Sequence, residues 1–275
     1  MIGFGGSTSR NARAVVTGAG SGIGQAFAVE LAARGGQVVC ADLDVATAQE
    51  TVDAITDEGG KALAVHCDVA VEEQVRELAG QSHAWFGNLP SLLVNNAGVG
   101  AGGQTIEDTS LAEWQRVLDI NLWGVIHGCR VFTPLLREGG GGIINVASAA
   151  GFASAPSMGA YNVSKAGVVA LSETLAAELA GAGVRVSVLC PTFVKTDILN
   201  SEHITEGSVA LAETLMRWTG VSPRRVVRTC LDAHDRGHLY VVPQLDAKAV
   251  WGAKRLAPGL YNRAAGLLGR FAPDR

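Results

Sequence analysis

The sequence predicts an α/β fold, a single doubly wound parallel sheet of about seven strands with helices on both faces. Two patterns and one motif predict it. Short runs rich in Val, Ile and Leu recur from residue 12 to about 190 without polar alternation, as expected of parallel strands covered on both faces. Longer segments of helical period separate them, which calls for right-handed crossovers. A glycine-rich turn, TGAGSGIG, directly follows the first run, where a strand would pass into a helix at the end of such a sheet.

Taken in order, Ala14–Thr17 is the first expected strand, and Ile23–Arg34 carries the first helical pattern behind the glycine turn. Gln37–Ala41, Ala62–Cys67 and Ser91–Asn95 are the next unalternating runs. One long helix is expected over Leu111–Arg137, and the glycine run Glu138–Gly142 turns it into Gly142–Ala147, being too short for a linker. Val184–Leu189 and His238–Val242 complete the sheet. Residues 1–11 read as a flexible leader, 12–245 as one catalytic domain with a lid at about 193–219, and 246–275 as a basic amphipathic extension.

Of 275 residues 48% are apolar and 17% charged, and 22 Lys and Arg against 26 Asp and Glu leave a net charge of −4. Such a chain can bury a large core, and its acidic balance excludes nucleic acid as the expected partner. No apolar run reaches the ~20 residues needed to cross a bilayer. The opening MIGFGGSTSRNAR lacks the cationic and apolar segments of a secretory signal. Cys40, Cys67, Cys129, Cys190 and Cys230 are odd in number and show no metal-ligand spacing. Reduced thiols in or near the core of a cytoplasmic protein account for them, and no metal site is expected.

In the glycine turn, Gly18 permits the tight bend, Gly22 lets backbone approach a pyrophosphate, and Gly24 allows close packing of the helix. The helix N-terminus, with Ser21, Gly22 and Ile23, offers unpaired N–H groups and a positive dipole end to phosphate. Asp42 closes the second strand about 20 residues on, where a carboxylate accepts from both hydroxyls of an adenosine ribose and repels a 2′-phosphate. Leu43 stands where a cation would be needed to hold that phosphate, so NAD is expected over NADP. The plainer alternative is that Asp42 caps a loop. Asp68 and Val69 follow the third strand, and Asn95, Ala97 and Gly98 belong to NNAG at the end of the fourth. Asn121 falls inside the long helix, where an Asn without a partner is unfavourable; it either bonds locally or organises water.

Tyr161 and Lys165 stand four residues apart, with Ser148 thirteen positions upstream of Tyr161. Positions i and i+4 share a helix face, so phenol and ammonium can meet in one site. A phenol titrates near 10, and a fixed cation favours the phenolate. Lowering Tyr161 by roughly two to three units takes ~3–4 kcal/mol, which Lys165 and the positive ring of oxidised nicotinamide together can supply. Ser148 would hold the substrate oxygen while the proton moves. Alone, the pair reads first as a packing tyrosine and a solubilising lysine; the motifs in register with it weigh against that.

In their order and spacing, TGAGSGIG, NNAG, Asn121, Ser148 and Y-N-V-S-K resemble the short-chain dehydrogenase/reductase family over residues 12 to 245. The resemblance implies a Rossmann-type domain of seven strands and a catalytic tetrad. Tyr161 would exchange the proton with the substrate oxygen, and Ser148 would orient that oxygen. Lys165 would bind the nicotinamide ribose and lower the Tyr161 pKa, and Asn121 would hold a water in a relay through Lys165. By the same resemblance Asp68 meets the adenine, Asn95 and Ala97 line the adenosine-ribose side, and Val194 and Thr196 hold the carboxamide, with Val69, Gly98 and Pro191 as further cofactor-binding positions. The family's usual Pro-Gly after the sixth strand is Pro191-Thr192 here. Thr adopts positive φ only at a cost, so that loop is expected to be shaped differently.

On the substrate side, Val99, Phe152, Met158 and Phe193 are candidate walls of an apolar pocket, joined by Ser148 and Tyr161. The unpatterned stretch Phe193–Thr219 suits a lid, and His203 in it reads as solvated. The expected reaction interconverts a lipophilic secondary alcohol and a ketone or aldehyde. One alternative is a dinucleotide sensor that kept the fold and lost catalysis. Another is a lipid or sterol dehydrogenase on a membrane surface, because Lys248, Lys254, Arg255 and Arg263 are interspersed with Trp251, Leu256, Leu260 and Leu267. The plainer reading packs that extension on its own subunit or a neighbour. Ala160, Val163, Ala166, Ala170 and Leu171 leave the Tyr161 helix apolar nearly all round, so a homodimer or homotetramer is expected.

Overall fold

The computed structural model describes residues 6–195 and 220–269. Its strands are β1 (Arg13–Thr17), β2 (Gln37–Asp42), β3 (Lys61–His66), β4 (Leu92–Asn95), β5 (Gly141–Val146), β6 (Val184–Leu189) and β7 (Tyr240–Val241). They form one sheet in the order β3-β2-β1-β4-β5-β6-β7, and every neighbouring pair is parallel. Both faces are covered, which is why the strand sequences do not alternate. Val15, Leu93 and Ile143 face one layer, with Leu78 of α3 (Glu72–Phe86), Phe132 and Leu136 of α5 (Gly124–Gly139) and Val168 of α7 (Gly159–Glu178). Their neighbours Val16, Val94 and Ile144 face the other layer, with Phe27 and Leu31 of α1 (Gly22–Ala33), Ile55 of α2 (Val45–Asp57) and Leu231 of α8 (Pro223–Asp235). One strand period thus feeds two cores.

The chain winds outward from β1 to β3 and then returns to the centre to lay β4 on the other side of β1. The carboxyl ends of β1 and β4 therefore border the crevice in which open α/β sheets bind ligands.

Two expectations are corrected. The long helix is present but not uniform: α4 (Leu111–Leu118) passes through one π-helical turn, Asp119–Trp123, into α5. The leader is not loose from Ser7 onward. The Asp235 carboxylate accepts from Ser7 Oγ (2.6 Å), Ser9 Oγ (2.7 Å) and the Thr8 and Ser9 amides (2.9 and 3.0 Å). Arg34 Nη1 donates to Ser9 Oγ at 2.9 Å. A three-residue polar wrap around one carboxylate is invisible to hydrophobic periodicity. After β7 come α9 (Leu245–Leu256) and α10 (Pro258–Gly269), which lie against the short α6 (Ala150–Ala153). Among the described residues no helix is long and apolar enough to cross a membrane. All five cysteines are unpaired and buried.

Candidate active site

The crevice is built from close approaches that only glycine permits. Gly18 and Gly22 adopt φ of +63° and +55°. A Cβ on Gly18 would lie 2.8 Å from Ala97 Cα, and one on Gly24 would lie 1.9 Å from the Gly18 carbonyl oxygen. Asn96, not singled out from sequence, joins the two strand ends: its Nδ2 donates to the carbonyls of Thr17 (2.9 Å) and Gly18 (3.0 Å). As the second Asn of NNAG it was in plain view. Ser21 precedes α1 without a side-chain cap bond, so it leaves the first N–H groups of α1 to an anion. Beyond the turn, Asp42 Oδ2 accepts from Gly20 N at 2.8 Å and Oδ1 from Asp44 N at 3.1 Å. Asp42 thus does brace the loop, and each oxygen keeps a lone pair for a further donor. Leu43 beside it is 63% exposed. A glycine cradle, an uncapped helix N-terminus and a carboxylate beyond them fit a dinucleotide.

Around this crevice the remaining candidates divide. Asp68 is half-buried, and its Oδ1 accepts from Ala70 N at 2.9 Å. Val69 is buried. The Asn95 side chain is directed inward instead of toward a ribose: it is 2% exposed and its Nδ2 donates to Asn145 Oδ1 at 2.9 Å. The α5 backbone passes so close that a Cβ on Gly128 would lie 2.1 Å from Asn95 Oδ1. The side chain is engaged in the layer between sheet and helix.

The structure brings Asn121, Ser148, Tyr161 and Lys165 together. Asn121 sits in the π turn, fully buried; its Oδ1 accepts from Val99 N at 2.7 Å and its Nδ2 donates to Val99 O at 2.9 Å. The partner of the side chain is thus backbone from the loop after β4, distant in sequence from the helix that carries Asn121. Gly98 leaves room for this, since a Cβ there would lie 3.0 Å from Asn121 Oδ1 and 3.4 Å from Lys165 Nζ. Lys165 is 3% exposed and donates to Val146 O at 3.0 Å. Burial pulls its pKa down to about 8, the nearby Cys190 opposing.

Ser148 Oγ accepts from Ala150 N at 3.2 Å, donates toward Pro191 O at 3.4 Å, and meets the Tyr161 phenol. Burial raises the phenol above its ordinary 10, and the Ser148 hydrogen bond pulls the other way. Lys165 Nζ stands 5.8 Å from the Tyr161 ring centroid. The lowering expected from sequence therefore takes more positive charge than these side chains provide.

A small, partly open hollow lies beside Tyr161, lined by Ala101, Gly102, Met158 and Ala160 and edged by Gln104 and Glu113. Met158 is in its wall. Phe152 instead turns its ring toward Trp251, 6.2 Å between centroids. Phe193 is half-buried, and its carbonyl accepts from Val221 N and Gln244 Nε2, both at 3.3 Å. Gln244, missed from sequence, also accepts from Thr192 N at 3.2 Å. Thr192 is absent from the described non-glycine residues with positive φ, which are Asn11, Ser154 and Ser157. The loop accommodates Thr without a left-handed residue, with its Oγ1 buried and unpartnered. Pro191 and Val194 are buried, and Val194 bridges to Val221. Thr196, His203 and most of the expected lid lie outside the described residues. Among the described residues no cluster of His, Cys, Asp or Glu could hold a metal ion.

A parallel sheet with a glycine cradle at its switch point and a Tyr–Lys pair nearby is the arrangement of a nicotinamide-dinucleotide oxidoreductase. The short chain dehydrogenase family model matches residues 12–207, and the chain belongs to that family. It is 34% identical over 263 residues to the probable oxidoreductase EphD of Mycobacterium tuberculosis, covering 92% of this chain but only 44% of that protein. The chain thus spans less than half the length of that relative. Cyclohexanol dehydrogenase of Acinetobacter sp. is 37% identical over 190 residues, 69% of this chain and 75% of that one. A crystal structure of a short chain dehydrogenase/reductase from Burkholderia phymatum in complex with NAD superposes with a TM-score of 0.84 at 35% identity, covering 92% and 96% of the two chains.

Proposed function

We propose that the protein interconverts a lipophilic secondary alcohol and its ketone with NAD, and that Tyr161 is the acid and base. The observation that carries this is the convergence of Ser148, from the loop after β5, with Tyr161 and Lys165 of α7 around one phenol beside a hollow. Bound NAD would supply the hydride acceptor and, in its oxidised form, the positive ring that Tyr161 needs to ionise. The alcohol oxygen would sit between Ser148 Oγ and the Tyr161 phenolic oxygen, with Ser148 orienting it and Tyr161 taking its proton. Lys165, close to half-neutral near pH 8, can hold charge beside the phenolate or pass a proton on. Asn121 fixes the backbone at Val99 on the wall facing Lys165.

Ser21, Gly22, Ile23 and Gly24 are assigned to the pyrophosphate, Asp42 and Leu43 to the adenosine ribose, and Asp68 and Val69 to the adenine. Ala97, Gly98, Pro191, Val194 and Thr196 are assigned to the remaining cofactor contacts. Asp42 favours NAD, because its carboxylate and the apolar Leu43 offer a 2′-phosphate repulsion and no cation.

The test follows nicotinamide absorbance with secondary alcohols of rising chain length. Each buried methylene is worth up to about 0.8 kcal/mol, so kcat/KM should climb severalfold per carbon until the pocket is full. NAD should outperform NADP by at least about tenfold, a difference of only ~1.4 kcal/mol. Equal rates with both cofactors would refute the assignment of Asp42. A sugar or charged hydroxy acid outperforming every lipophilic alcohol would overturn the substrate class.

A further inference from the structure

The chain between Ser148 and Tyr161 is held from the far end of the sequence. Three successive residues are each gripped by a different interaction. The Phe152 ring lies 6.2 Å from that of Trp251. The Ala153 carbonyl accepts from Tyr261 Oη at 2.7 Å. Ser154 Oγ accepts from Lys254 Nζ at 2.8 Å. Trp251 belongs to α9 and is itself fixed, 5.1 Å from the Tyr240 ring on one side and with the Arg255 guanidinium 4.9 Å from its centroid. Lys254 Nζ is also 5.9 Å from the Tyr261 ring centroid, so the two groups act together.

What they hold is strained. Ser154 and Ser157 adopt φ of +54° and +59°, left-handed conformations that are costly for an L-residue. Such residues persist where their surroundings over-determine them. On the other side the loop is tied by Asn162 Nδ2 to Ala155 O at 2.7 Å and by Gly103 N to Ser157 O at 2.8 Å. Ser157 and Met158, at its end, line the hollow beside Tyr161.

We propose that α9 and α10 form a strut that sets the substrate-side loop between Ser148 and Tyr161, which makes Lys254 and Tyr261 positioning residues for the alcohol. This rests on the proposed function for its substrate but not for its mechanics. Neither residue reaches the hollow; they act through Ala153 and Ser154 on the wall at Ser157 and Met158. The strut leaves the glycine turn and Asp42 untouched, so its loss should be felt by the substrate and not by the dinucleotide.

The test uses full-length Tyr261→Phe, Lys254→Met, the double variant, and Lys254→Arg, which keeps a donor for Ser154. Hydrogen exchange at the amides of residues 153–155, 157 and 158 is read without substrate, and KM for alcohol and Kd for NAD are measured alongside. The expected result is faster exchange confined to that loop in both the Tyr261→Phe and the Lys254→Met variants. Substrate KM should rise about fivefold in the first and about threefold in the second. The double variant should exceed either single change, NAD affinity should stay within about twofold, and Lys254→Arg should restore wild-type KM and exchange. Unchanged exchange and unchanged KM in the double variant would overturn the proposal. So would a parallel loss of NAD affinity and global protection, the signature of general destabilisation. An absence of alcohol turnover by the wild-type enzyme would instead remove the proposed reaction, and the exchange measurement would still decide whether the strut exists.

Discussion

At Tyr161, burial and charge pull in opposite directions. Desolvation holds the phenol up, and Ser148 alone does not reverse it. Tyr161→Phe keeps the ring and its packing but removes the proton acceptor, so turnover should fall by at least ~10²-fold while NAD affinity stays near wild type. A variant keeping half the wild-type rate would contradict the role. A second buried group governs stability. His234 is fully buried in α8 on the side away from the site, its Nδ1 2.8 Å from Ser187 Oγ and its Nε2 without a partner. Burial and Arg185 push its pKa from 6.5 down to about 4, with Asp235 opposing. The neutral ring is the one the fold accepts, so its contribution is fully present above about pH 6.5 and is lost as pH falls toward 4. By about pH 5 that loss reaches ~2 kcal/mol. Urea midpoints at neutral pH and at that pH should show wild type losing more stability than His234→Asn by this amount; matching losses would rule out the histidine as the cause.

Among the elements, the loop after β6 shows what a distant residue just ahead of α9 contributes. Gln244 is 6% exposed and uses both ends of its amide, accepting from Thr192 N and donating to Phe193 O. Gln244→Leu should lower stability by ~1–3 kcal/mol and raise the KM for NAD severalfold, because Pro191 to Val194 lose their anchor. A wild-type KM would show that the turn holds its shape without it. The strands were legible because Val15, Leu93 and Ile143 are apolar neighbours of Val16, Val94 and Ile144, and only a doubly covered sheet needs that. The Tyr161–Lys165 pair was legible because its two members share one helix turn. The π turn was not, since Ile120 and Leu122 around Asn121 fit an ordinary amphipathic helix, and the extra residue in the turn shows only in the backbone. Gln244 was not, because its partners are made neighbours by the topology alone. The inward turn of Asn95 likewise depends on Gly128 drawing α5 against β4, a packing fact with no local sequence sign.

For the whole molecule, the outer face of α7 remains uncovered in a single chain. Val163 is 49% exposed, Ala166 and Ala170 are exposed, and Trp123 at the end of the π turn is 48% exposed. Small and apolar residues along one helix face suit a two-fold copy of the same helix, so a homodimer or homotetramer is expected. Light scattering should report it, Ala170→Glu should shift the mass toward the monomer, and a wild-type monomer at micromolar concentration would contradict it. The five cysteines, finally, are spread over both layers, from Cys40 in β2 to Cys230 in α8. Burial drives Cys40, Cys67, Cys129 and Cys190 up to about 12 and Cys230 further. A thiol at such a value is almost wholly protonated at neutral pH and is shielded from reagent. An alkylating probe would therefore keep time for the fold instead of ranking its nucleophiles: each labelled sulfur would date the moment its own element first opened to water.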